Sequence, residues 1–276
     1  MHVCVLGSSS AGNCTVIWEE HRALLVDCGF SQRYISRHLR PLGLTLREVE
    51  GVVITHAHAD HVLAQTLVGF LALRIPVHAP PSILQVLAEQ YRDVRKVQGT
   101  PLLRPMHSAR TEIGPFLVNA FPVPHDAAGG CFSYTVHLDS LAGSAKATIA
   151  TDLGYVPDGL VAHCANSHVL VVESNHDPVM LATSQRPDWL KDRIRTIGHL
   201  SNEQSGKFVR DILSASSFYP EAVVLAHVSK DCNTNARAVD SMALALRDHG
   251  AGSVRVLETF RHEPNEAVSC FRAMNS

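Results

Sequence analysis

Residues 55–61 read Thr55-His56-Ala57-His58-Ala59-Asp60-His61. A β-branched run, Val52, Val53 and Ile54, leads into them and reads as a buried strand. Three imidazoles and a carboxylate within six residues are costly to pack unless something binds them. Neutral imidazole and carboxylate are the ligands that zinc and its first-row neighbours prefer. In an extended turn, side chains two apart share a face, so His56 and His58 point the same way. A helix starting near Asp60 would turn Asp60 and His61 elsewhere. One stretch can therefore serve two adjacent ions, His56 and His58 on one, Asp60 and His61 on the other. The competing reading is a polar loop that is merely rich in histidine. The leading strand, the spacing and the apolar helix expected over 62–73 argue against it together.

The pattern is HxHxDH, and here the chain resembles the metallo-β-lactamase superfamily. That resemblance implies an α/β fold, an αββα sandwich of two mixed sheets packed face to face with helices outside. It implies a metal site too, but says little of substrate, since one fold hosts many reactions. The element order agrees. Strands are expected at 2–6, 14–18, 22–27 and 76–79, with helices at 31–40 and 82–91. The second half opens with strands at 115–122, 131–138, 146–151 and 168–173. Helices follow within 177–196 and 202–215, then a strand at 222–226, a helix at 234–248 and a strand at 253–260. Strands followed by helices in each half suit that layering. The basic 92–110 segment reads as a solvated face.

With 276 residues, 46% hydrophobic and 18% charged, the chain suits one domain, 1–276, with a large core. Net charge is −2, so any nucleic-acid contact must use a local patch. The seven cysteines form no CxxC pair, which fits buried thiols in a reducing, cytoplasmic setting. Cys28 and Cys131 flank the expected site loops and read as core thiols. No signal peptide is visible, and no apolar run reaches the roughly 18 residues needed to span a membrane, so no membrane partner is expected.

Four ligands do not complete two metal sites. Three later loops each follow an apolar strand and open with a candidate ligand: His125 after Phe121–Pro124, Asp152 after Thr148–Thr151, and His227 after Val223–Ala226. In order, they match the superfamily's later histidine, bridging aspartate and terminal histidine. By that resemblance His125 joins His56 and His58, His227 joins Asp60 and His61, and Asp152 bridges both ions. His78, His107, His163 and His176 are rivals without the complete pattern. Asp27 ends an apolar strand, and its family counterpart orients the histidine motif. A cap for the following helix is its alternative role. Two such ions would lower the pKa of a bridging water and present hydroxide at neutral pH. Asp60 would steer it.

Several stretches narrow the family: GSSSAGNC (7–14), LLVDCGFS (24–31), PHDA (124–127), ATDLGYV (150–156), VVESNHDPVML (171–181), GHLSNE (198–203) and LAHVSKDCNT (225–234). Together with 55–61 they resemble the YycJ/WalJ/VicX-type metallohydrolases over nearly the whole chain. The resemblance implies a 5′→3′ DNA exonuclease activity and, for some members, a genetic link to a cell-wall two-component regulator. Phosphodiester cleavage also suits the residues themselves. Ser201 and Gln204 match a capping box whose helix N-terminus could face phosphate. His199 could protonate a leaving oxygen. Ser8, Ser9 and Asn13 in the small-residue loop, Ser201 and Asn202 at the helix start, and Lys230 and Asn233 after His227 are candidate substrate contacts. For each of these, capping or turn chemistry is the plainer role. Glu173 and His176 could line the same cleft.

The expectation is thus a hydrolase with two divalent ions, zinc first and manganese or iron as alternatives, acting on DNA. A second enzyme reading is hydrolysis of a cyclic phosphodiester, thioester or lactone, which the neutral charge favours. A metal-stabilised regulatory or adaptor protein would not need to keep an open two-ion ligand set. Relative activity on DNA, bis(p-nitrophenyl) phosphate and a thioester separates the three.

Overall fold

The computed structural model describes residues 1–107, 110–140 and 143–270. The first half contains β1 (His2–Ser9), β2 (Gly12–Glu19), β3 (Arg22–Val26), α1 (Gln32–Leu39), β4 (Val49–Val53), α2 (Ala64–Ala72), β5 (Val77–Ala79), α3 (Pro81–Gln90), α4 (Arg92–Lys96) and β6 (Leu103–Pro105). The second half contains β7 (Thr111–Ile113), β8 (Phe116–Val123), β9 (Cys131–Ser140), β10 (Gly143–Ala150), α5 (Leu160–Cys164), β11 (Val169–Glu173), α6 (Pro178–Thr183), α7 (Asp188–Arg193), α8 (Asn202–Ser214), β12 (Ala222–Ala226), α9 (Asn235–Asp248), β13 (Arg255–Glu258) and β14 (Val268–Ser269).

The strands form two seven-stranded sheets, ordered β14-β1-β2-β3-β4-β5-β6 and β13-β12-β11-β10-β9-β8-β7. Each sheet joins an antiparallel part to a parallel part. β1, β2 and β3 pair antiparallel, then β3 to β6 run parallel. β7 to β10 pair antiparallel, then β10 to β13 run parallel.

Alternation along each strand builds the layers, because successive side chains leave opposite faces. In β3, Leu24 and Val26 enter the core between the sheets, while Ala23 and Leu25 face the helices of the first half. In β12, Val224 joins the inter-sheet core, while Val223 and Leu225 pack under α8 and α9 beside Phe208 and Met242. Strands covered on both faces read as continuous apolar runs, as 222–226 does. The expected αββα sandwich is the fold found. Among the described residues, no helix is long and apolar enough to cross a membrane. All seven cysteines are buried and free, Cys28 and Cys131 among them.

Some expectations need correction. α2 begins at Ala64, not near Asp60. The Cys28 N–H donates to the His61 carbonyl and the Leu63 N–H to the Cys28 carbonyl, a bridge at Val62 that keeps 62–63 out of the helix. The helices expected within 177–196 are two, α6 and α7, and a π-helical turn over Ile194–Gly198 extends beyond them. Pro187, at the N-cap of α7, has an extended conformation. The 92–110 segment carries α4 and edge strand β6; residues 108–109 lie outside the described residues. α5 and β14 had no expectation.

β8, β10, β11 and β12 run in one direction, and so do β3 and β4. The loops leaving their C-terminal ends meet at one edge of the sandwich. Cross-sheet bonds fix the meeting: Phe132 N–H donates to the Thr55 carbonyl at 3.0 Å, and the Tyr134 hydroxyl to the Ile54 carbonyl at 2.7 Å.

Candidate metal centre

The turn after β4 is shaped by its own backbone. The N–H groups of His61 and Val62 both donate to the His58 carbonyl. His56 Nε2 and His58 Nδ1 lie 3.0 Å apart, and the His125 ring sits 5.1 and 5.2 Å from their rings. His125 Nδ1 donates to the Gly198 carbonyl at 2.8 Å, which leaves Nε2 for the site. The three histidines can thus offer ligand atoms within 4.8 Å of one another. Asp60, His61 and His227 form a second such group.

Asp152 lies between the two groups. Its Oδ2 is 3.3 Å from His61 Nε2 and its Oδ1 is 3.5 Å from His227 Nε2. It also groups with His56 and His61. Asp152 Oδ2 is buried with no hydrogen-bond donor among the described residues. A buried, unsatisfied carboxylate oxygen amid imidazoles is what a divalent cation would satisfy, so the donor set fits the metals that the sequence implies.

The electrostatics agree. Burial alone would depress the His61 imidazole, but the Asp152 and Asp27 carboxylates outweigh it and hold it up to about 10. Burial is likewise outweighed at His227 by Asp152 and Asp60, which hold it up to about 9. Asp60 and Asp152, in turn, are held below the usual carboxylate range against their own burial, by His227 and His61. A pocket that concentrates negative charge on cation-sized centres favours a metal as it favours protons.

Asp27 braces the 55–61 turn. Its carboxylate accepts the Thr55 N–H at 2.8 Å and the Thr55 hydroxyl, and it meets His61 Nδ1 at 2.7 Å. That last contact fixes the tautomer and leaves Nε2 facing Asp152. The helix cap expected as its alternative role falls to Ser31, whose side chain accepts the Tyr34 N–H. Glu173 braces the 152–153 and 199–200 loops. It is wholly buried. One oxygen accepts the Leu153 and Leu200 N–H groups at 2.7 and 2.9 Å; the other faces Asp152 N at 3.2 Å and His199 Nδ1 at 3.1 Å. His199 therefore enters the site, its ring 4.9 Å from His227 and 5.2 Å from His125.

Two glycines permit the close packing. A Cβ on Gly29 would fall 1.8 Å from the Asp60 carbonyl oxygen, and one on Gly154 would fall 2.5 Å from the Ile197 backbone.

The candidate substrate residues divide. Ser8, Asn13, Asn202 and Asn233 are buried and support the centre. The Ser8 hydroxyl accepts the His227 N–H and donates to Asn13 Oδ1. Asn13 Nδ2 reaches Asp60 Oδ2 and His61 Nε2. Asn202 and Asn233 pair their amides, and Asn233 donates to the carbonyls of Ser174 and Asn175. Ser201 caps α8, accepting the Gln204 N–H while Gln204 accepts the Ser201 N–H. Ser9 and Lys230 line a neighbouring cavity. Of the rivals, His78 and His163 lie in β5 and α5, His107 is exposed, and His176 is buried beside Ser201 outside the ligand groups. From the sequence Glu173 reads only as a possible cleft residue. The available signal is an acid closing the apolar run Val169–Val172, and its partners lie 20 and 21 residues before it and 26 and 27 after it.

A cleft of about 230 Å³ opens over the centre, lined by His58, Asp60, His125, Asp152, His199 and His227 among others. Two facing sheets with paired His/Asp ligand groups at one edge define a metallo-β-lactamase-type metal centre. The family model described as the Beta-lactamase superfamily domain matches residues 22–228, and the chain belongs to that family. Exodeoxyribonuclease YycJ of Bacillus anthracis is 29% identical over 267 residues, covering 96% of each chain. Exodeoxyribonuclease WalJ of Streptococcus pneumoniae serotype 2 is 29% identical over 254 residues, covering 90% of each. Within the superfamily the chain is therefore of the YycJ/WalJ type. Among solved structures, the metallo-β-lactamase fold protein YhfI from Bacillus subtilis shares the fold with a TM-score of 0.67 at 13% identity, over 96% of this chain and 99% of that one.

Proposed function

We propose that this metal-dependent hydrolase is a phosphodiesterase acting on DNA, working as a 5′→3′ exonuclease. Asp152 carries the reading: a buried carboxylate that groups with His56 of one triad and stands within 3.5 Å of His61 and His227 of the other, as a shared ligand of two ions needs. The two relatives matched over 96% and 90% of their length, both named exodeoxyribonucleases, support DNA as the substrate. His56, His58 and His125 hold one ion, and Asp60, His61 and His227 the other. Zinc suits this donor set first, with manganese or iron as alternatives. Residues 1–276 act as one domain, since both sheets contribute ligands. Bound there, the ions supply Lewis acidity toward a phosphoryl oxygen and acidify water.

The side chains do the rest. Asp60, 21% exposed at the cleft, accepts a hydrogen bond from the attacking water and aims it. His199, 19% exposed, presents Nε2 to the cleft because Glu173 takes Nδ1, and it protonates the departing oxygen. The small cleft volume also admits the second reading, a cyclic phosphodiester substrate.

The test is turnover by the purified protein with Zn²⁺ or Mn²⁺ on 5′-phosphorylated duplex DNA, bis(p-nitrophenyl) phosphate and a thioester. DNA and the phosphodiester should be cleaved. Turnover of the thioester alone would overturn the reading. His199→Ala should keep its metal and lose about 10²–10⁴ in turnover; lost metal would make His199 a ligand instead.

A further inference from the structure

A second cavity, of about 530 Å³, adjoins the metal cleft. Ser10, Arg186 and Ser229 line both spaces. Lys230 and Arg261 line the second alone. Among the described residues, the one carboxylate lining it is Asp231, which is 65% exposed and 3.1 Å from Arg186 Nη2. Three cations thus face one carboxylate. Arg186 Nε is buried without a partner, and neither Lys230 nor Arg261 has an ion pair among the described residues. The remaining lining is rich in hydroxyls and amides. It includes Thr234 and Asn235, where the 14-residue α9 begins and its positive end opens.

A chain with net charge −2 gathers this positive surplus beside its cleft, in a space large enough for a nucleotide. We infer that this cavity is a phosphate subsite, holding a phosphate of the substrate strand next to the linkage at the metal centre. The inference rests on the phosphodiesterase reading. Arg186 and Arg261 offer planar forks for paired phosphate oxygens, and Lys230 offers a point charge. Because Arg186 borders both spaces, a strand can run from one to the other without crossing an acidic wall. The phosphate can be a terminal monoester or an internal diester, and the two give different signatures.

The experiment is fluorescence anisotropy of a 3′-labelled single-stranded oligonucleotide with phosphorothioate linkages that resist turnover. It uses the metal-loaded full chain at several salt concentrations. The 5′ end is either phosphorylated or hydroxyl. For Lys230→Ala/Arg261→Ala, binding should weaken about tenfold or more. The slope of log affinity against log salt should flatten by about two. A terminal phosphate appears as a lost preference for the phosphorylated end, and an internal one as equal weakening of both; either supports the subsite. The charge-keeping pair Lys230→Arg/Arg261→Lys should restore most binding and the slope. Affinity and slope unchanged in the alanine pair would overturn the subsite, as would equal loss in both pairs. Failure of the wild type to cleave bis(p-nitrophenyl) phosphate would instead strike the phosphodiesterase reading, and the binding data would still decide the cavity.

Discussion

The turn after β4 places His56, His58, Asp60 and His61 within six consecutive residues, whereas the second sheet contributes His125, Asp152 and His227 singly, each from a different strand end. The first group is largely local. Its shape follows from hydrogen bonds to the His58 carbonyl, from Asp27 and from the short bridge at Cys28. The second exists only because sheet register brings three strand ends level and Glu173 ties the 152–153 loop to 199–200. Both plans carry backbone strain. Asp27, Asp152 and His227 all have left-handed φ, at 64°, 59° and 53°. Such non-glycine residues persist where surrounding contacts over-determine them. A compact motif localises the consequences of error, while a distributed one spreads them.

The largest effect should separate a residue shared by the two ligand triads, His56/His58/His125 and Asp60/His61/His227, from one that serves a single triad. Asp152→Ala removes the carboxylate shared by both, so metal should fall toward zero and turnover on the order of 10³-fold. His58→Ala leaves Asp60, His61 and His227 intact and should retain about one ion per chain, by the ligand grouping and coordination rules. Elemental analysis by mass spectrometry reads both. Equal metal content in the two variants would dissolve the division into two groups.

A smaller effect should distinguish the two bracing acids. Groups that orient metal ligands commonly contribute 10- to 100-fold in affinity or activity. Asp27→Asn disturbs Thr55 and His61 only, so saturating metal should restore most turnover. Glu173→Gln also loosens His199, so turnover should stay about tenfold low when metal is saturating. Competition titration with a chromogenic chelator, followed by assay at saturating metal, separates the outcomes. Full recovery in Glu173→Gln would reduce Glu173 to the same part as Asp27.

These two regions were unequally legible in the sequence for the same reason. Residues 55–61 declare themselves because spacing in sequence is spacing in space. His125, Asp152 and His227 were legible as polar residues that close apolar strands, with a family order to arrange them. Glu173 closes a strand in the same way, but its meaning lies in amides 20 and 21 residues before it and 27 after it, which only the fold brings together. Ser8, Asn13, Asn202 and Asn233 were read as facing substrate because hydroxyl and amide chemistry looks alike in both roles. The fold buries all four around the centre, with Ser8 and Asn233 also at the wall of the second cavity. The helix expected near Asp60 starts at Ala64 because a tertiary bridge overrode local preference.

The finest comparison sets Ser31 against Ser201, one helix cap in each half. The Ser31 side chain accepts the Tyr34 N–H at the start of α1, and the Ser201 side chain accepts the Gln204 N–H at the start of α8. The bonds are the same length, 3.2 Å each, so the caps should be worth about the same. Replacing either serine by alanine should cost about 1 kcal/mol in denaturant unfolding. Only Ser201 stands beside the centre, where the Leu200 N–H is taken by Glu173 and the Ser201 N–H by Gln204. With both amides occupied and the side chain accepting a third, little remains to meet a substrate. Ser201→Ala should therefore leave the KM for an oligonucleotide within about twofold, the change expected when no substrate hydrogen bond is lost. A KM rise of tenfold or more, absent in Ser31→Ala, would show that the α8 cap contacts substrate and would extend the site beyond the metal cleft and its cationic neighbour.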